Sequence, residues 1–108
     1  MSNHYKWVHQ VIRRKPLPKV IVTAEVEDVA HWEQSFRTHG ELFRSQTVTT
    51  PVGIAVQEDN TVACCFEPTD LNTFMEVLES PESAEAMGTD GVKRDTVKLY
   101  VIDREFQP

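Results

Sequence analysis

A change of period near residue 27 constrains this chain more than any other feature. Val20, Val22, Ala24 and Val26 alternate with Ile21, Thr23 and Glu25, as in a strand with one strongly apolar face. Immediately afterwards Val29, Trp32, Phe36, His39 and Phe43 recur at helical spacing. Asp28 stands between the two patterns, where its carboxylate can cap the first N–H groups of a helix. The spacing predicts one helix over about 29–44. Glu33, Arg37 and Glu41 give it two successive i,i+4 charge pairs, and Gly40 inside it suggests close packing.

The rest of the chain repeats this alternation of strand and helix. Residues 47–58 are rich in Thr and Val but are interrupted by Pro51 and Gly53, which predicts a strand that bends or bulges. Glu58-Asp59-Asn60 is a turn signal, and 61–67 is a short strand completing a hairpin. Pro68-Thr69-Asp70 opens a second helix with Leu71, Phe74, Met75 and Leu78 on its buried face. Ser80-Pro81-Glu82 breaks and restarts it, Ser80 as cap and Pro81 at the first helical position, and Gly88 and Gly91 bracket its exit. A closing strand follows at 96–103, with Val97, Leu99 and Val101 against Lys98, Tyr100 and Ile102. The order β-α-β-β-α-β implies an α+β, ferredoxin-like antiparallel sheet with both helical units on one face. The other face would then carry Ile21, Thr23, one side of 61–67, Tyr100 and Ile102, too apolar for open water. A second copy of the chain, paired through a two-fold axis, would cover it, and so would the N-terminal segment.

With 108 residues, the chain has enough material for one domain, expected over residues 18–108, preceded by an appendage at 1–17. Residues 1–19 hold five of the eleven basic side chains and no acid, so the body is strongly acidic. An acidic body speaks against nucleic acid as a partner, because phosphate neutralisation needs a basic face. No apolar run is long enough to span a membrane, and residues 1–15 contain no signal-like core, so the cytoplasm is the expected compartment. Cys64 and Cys65 are adjacent in a strand and point to opposite faces, which predicts structural thiols rather than a metal site or a disulfide. His4, His9, His31 and His39 form no compact ligand set, and the glycines form no phosphate loop.

Residues 26–36 (VEDVAHWEQSF), with His39 and Arg44, resemble the first helix of the dimeric α/β-barrel superfamily, near its antibiotic-biosynthesis-monooxygenase group. Asp70-Leu71, Phe74, the run 78–82 (LESPE), Met87 and Gly91-Val92 resemble a second stretch of the same family, so that the likeness covers about 19–103. The resemblance implies a homodimer whose sheets face each other and a pocket between each sheet and its helices. It further implies chemistry such as cofactor-free monooxygenation or polyketide cyclisation. The chain departs from the haem-degrading branch, whose Asn-Trp-His set it does not match. It has a cyclase-type Tyr–His pair only if Tyr100 converges with His39 or His31.

Among the candidate site residues His39 comes first. An imidazole between Phe36 and Phe43 on an apolar helix face can act as a general base or orient a carbonyl or phenol. It can equally be a core histidine with satisfied ring nitrogens. Trp32, Phe36, Phe43, Phe74 and Tyr100 would shape a pocket for a small apolar or aromatic molecule, and His31 would lie at its rim or in solvent. No cofactor and no metal are expected. The two function classes that follow are a cofactor-free monooxygenase- or cyclase-like enzyme and a non-catalytic ligand- or protein-binding module.

Overall fold

Strand-forming and helix-forming segments alternate along a computed structural model that describes residues 17–108, and the expectations for the 1–17 arm therefore fall almost wholly outside the described residues. Strand β1 (Lys19–Glu25) is followed by helices α1 (Val29–Phe36) and α2 (Gly40–Ser45). The hairpin strands β2 (Gly53–Val56) and β3 (Thr61–Phe66) come next, then α3 (Leu71–Leu78), α4 (Pro81–Asp90), a 3-10 turn (Arg94–Thr96) and β4 (Lys98–Ile102). The four strands form one antiparallel sheet in the order β2-β3-β1-β4. This is the ferredoxin-like arrangement the element order predicts.

Register sorts the side chains onto two faces. Val20 opposes Phe66 and Val101, Val22 opposes Cys64 and Leu99, and Ala24 opposes Val62. These residues face the helices, where Val20, Val62, Cys64 and Phe66 join Val26, Trp32, Val48 and Phe74 in the buried core. An aromatic chain runs through it: Trp32 on Phe36 at 4.8 Å, Phe36 on Phe43 at 4.9 Å, Phe43 on Phe66 at 5.7 Å and Phe66 on Phe74 at 5.3 Å between ring centroids. The opposite face pairs Ile21 with Cys65 and Tyr100. Tyr100 is 53% exposed and Ile102 38%.

The helix starts follow their caps. Asp28 accepts from the Ala30 N–H at 3.0 Å, Asp70 from the Thr73 N–H at 3.2 Å and Ser80 from the Ser83 N–H at 3.3 Å, with Pro81 in the first turn. Gly91 ends α4 in the left-handed region at φ 75°, as its place after the last helical residue suggests.

Six expectations need correction. The single helix over 29–44 is two helices. Thr38 and His39 donate three residues back, to Ser35 at 2.9 Å and Phe36 at 3.2 Å, and the Thr38 hydroxyl donates to the Ser35 carbonyl at 2.6 Å. That local bonding tightens the last turn and lets the chain turn at His39, which becomes the N-cap of α2. Gly40 therefore starts a helix rather than packing closely within one, and a Cβ there would meet only the mobile Arg44 guanidinium, at 3.2 Å. Of the two charge pairs, Arg37 with Glu33 forms at 2.7 Å, and among the described residues none joins Arg37 to Glu41 across the break. The strand over 47–58 is confined to β2, because Thr47 adopts φ 66° and binds the start of α3: the Thr69 N–H donates to its carbonyl at 3.0 Å and the Asp70 N–H to its hydroxyl at 3.0 Å. The closing strand likewise starts at Lys98, since 94–96 coil into the 3-10 turn. Cys64 is buried as expected, but Cys65 is exposed.

Candidate active site

The helix break at His39 builds the site. As N-cap of α2, His39 makes no capping bond with its side chain; its ring reaches across to the far end of α4. There Nε2 lies 2.9 Å from Asp90 Oδ1 and 3.1 Å from Oδ2. The side chain of Asp90 is 4% exposed and that of His39 19%. An ionised carboxylate only accepts, so Nε2–H is the donor, and a neutral ring in this arrangement carries its lone pair on Nδ1. Nδ1 has no protein partner among the described residues.

Asp90 stands against three local preferences. It is a buried carboxylate, it is the last residue of a helix, where the macrodipole disfavours negative charge, and no basic residue occupies that last turn. One imidazole supplies its side-chain hydrogen bonds. Local cost of this kind, compensated by a single titratable partner, marks functional sites. The neighbouring Thr89 carbonyl is 2.9 Å from Nε2 of His31, so that both histidines of the first helical unit hold the end of α4. His31 itself is exposed.

Between the sheet and the helices lies a cavity of about 80 Å³. His39, Trp32, Phe36, Phe43 and Phe74 all line it, as does Asp90. At roughly 10–15 Å³ per water position, such a space admits about five to eight waters. Its walls are otherwise apolar except for Gln46, Ser83 and Cys64. Burial pushes the Cys64 thiol up from 9.0 to about 12, which keeps it protonated and non-nucleophilic. Ser83 Oγ is occupied by donating to the Val77 carbonyl at 2.5 Å. Among the described residues no group of three or more potential metal ligands gathers, and no helix is long and apolar enough to cross a membrane.

Tyr100 is the exception among the expected pocket residues. Its register opposite Ile21 puts it on the other face of the sheet, so it does not line the cavity or converge with His39. Asp90 and Gln46 were missed. An Asp-Gly pair at a helix exit reads as an exposed turn, although Ser83, Met87 and Asp90 share one helical face and carried the signal.

No protein-family model matches the chain, and no curated protein matches it. Solved structures do. The chain is similar to SnoaB, a cofactor-independent oxygenase from Streptomyces nogalater, at 15% identity and TM-score 0.63, over 86% of this chain and 97% of that one. It is similar to a candidate antibiotic biosynthesis monooxygenase from Bordetella bronchiseptica at 10% identity and TM-score 0.67, over 85% and 100%. A dimeric ferredoxin-like protein from an uncultured marine organism matches at 11% identity and TM-score 0.54, over 87% and 94%. At these identities the likeness establishes the fold.

Proposed function

We propose that this protein is a cofactor-independent enzyme of the monooxygenase or cyclase type, in which His39 removes a proton from a small apolar or aromatic substrate seated in the cavity. The observation that carries this reading is the buried Asp90 carboxylate on Nε2 of His39, in the wall of an otherwise apolar space. Asp90 fixes the tautomer and supports the imidazolium that forms when Nδ1 takes the proton. Trp32 and Phe36, stacked 28° from parallel, offer an aromatic wall against which a ring can lie. The resulting carbanion or phenolate can close on a carbonyl of the same molecule. In an oxygenase it reduces dioxygen directly, one oxygen atom entering a CH₂ group as a carbonyl and the other leaving as water. The activity of SnoaB, as a cofactor-independent oxygenase, agrees with this class.

The exposed face bearing Ile21, Tyr100 and Ile102 supports a homodimer paired sheet to sheet, as does the dimeric state of the marine relative by fold.

Deuterium exchange at the enolisable carbon of phenylacetone, followed by proton NMR, tests the base without a known substrate. The reading predicts exchange accelerated by the wild-type protein and slowed about 100-fold or more in Asp90→Asn and His39→Gln. Equal exchange in all three proteins would overturn it. Binding of the ketone without acceleration would move the protein to the other class, a non-catalytic ligand-binding module.

A further inference from the structure

We infer that Gln46 is a specificity-determining residue, whose amide carbonyl accepts a hydroxyl of a small substrate held in the same cavity as His39. This rests on reading the cavity as the substrate site. Gln46 is the C-cap residue of α2, only 3% exposed, and it lines the cavity. A buried amide normally satisfies both ends. Here Nε2 donates to the Phe74 carbonyl at 3.3 Å, which also fixes the orientation, since a flipped amide would set two carbonyl oxygens against each other. Oε1 has no protein partner among the described residues. It is an unused acceptor in an apolar enclosure, where a ligand hydroxyl would gain most by pairing with it.

His39, whose Nδ1 also has no protein partner among the described residues, lines the same cavity. His39 and Gln46 bracket α2, seven residues apart, which is two helical turns or about 10 Å along the axis. A fused polycyclic substrate is too large for this cavity as it stands.

The test is a hydroxyl-to-methyl series of constant shape, titrated into the full-length protein and followed by NMR: 4-(hydroxymethyl)phenol, 4-ethylphenol, 4-methylbenzyl alcohol and 4-ethyltoluene. The inference predicts that exchanging the alcohol for the ethyl group weakens binding about five- to tenfold in wild type and not at all in Gln46→Leu. The loss on exchanging the phenol for a methyl group should persist in Gln46→Leu. In wild type alone, the side-chain amide signal of Gln46 should move with the alcohol and not with its ethyl counterpart, which covers the case of a variant that fails to fold. Equal affinity for alcohol and ethyl compounds in wild type would overturn the role of Gln46 while leaving the cavity as a ligand site. Binding of none of the four would overturn both.

Discussion

Cys64 and Cys65 are consecutive residues of β3, yet one is buried with its thiol pushed up to about 12 and the other lies exposed. The same contrast runs across the whole sheet. On the helix side Val20 and Phe74 are wholly buried, and the buried carboxylate of Asp90 is held by an imidazole. On the far side Ile21 is half-buried, and Tyr100 and Ile102, nearly as apolar as the core, are exposed among the described residues. Polarity therefore does not separate the two faces; partners do. One face is closed by its own helices and encloses a cavity with polar groups, whereas the other awaits an equally apolar surface, which the proposed second copy would supply.

The sharpest way to break the comparison is to empty the helix side. Phe74→Ala should lower stability by about 3–5 kcal/mol in thermal or denaturant unfolding, since the ring is wholly buried against Phe66. His39→Ala should cost about 3 kcal/mol, because Asp90 would keep a buried charge with no partner; the double variant His39→Ala/Asp90→Leu should recover much of that. On the other face, Tyr100→Asp with Ile102→Asp should leave single-chain stability within about 0.5 kcal/mol and convert a dimer to a monomer in native mass spectrometry. A difference in stability as large as that of Phe74→Ala would show the far face to be core rather than interface. The cysteines give the smallest effect and the most local one. The native state holds the Cys64 proton up to about pH 12, whereas the unfolded chain releases it near 9.0, so the Cys64 contribution to stability should be constant below pH 9 and fall from there to pH 12. Cys64→Ala should lack that part of the decline, and Cys65→Ala should retain it.

The two faces were legible in the sequence because a strand's period of two cannot hide: Val20, Val22 and Ala24 had to face one way and Ile21 and Thr23 the other. The caps were equally readable, since Asp28, Asp70 and Ser80-Pro81 each combine a side-chain acceptor with a following apolar stripe. The helix break was not. Phe36, His39 and Phe43 keep the same relative spacing whether the helix continues or restarts, and only the three-back bonding of Thr38 and His39 separates the cases. Asp90 was hidden for a different reason. Its meaning depends on His39, 51 residues away in sequence, and a carboxylate at a helix end before glycine has an ordinary surface explanation. Tyr100 illustrates the opposite error, because its alternation with Leu99 and Val101 already placed it away from the pocket to which analogy assigned it.

The account turns on one hydrogen bond, that between His39 Nε2 and Asp90. Long-range proton–nitrogen NMR of the imidazoles, with His39 assigned by its loss in His39→Gln, reports that bond directly at about pH 8.5, above the ordinary imidazole range. The account predicts the Nε2–H tautomer with a bare Nδ1 and a slowly exchanging, downfield Nε2 proton that disappears in Asp90→Asn. A ring protonated on Nδ1, or an His39 spectrum unchanged by Asp90→Asn, would contradict it.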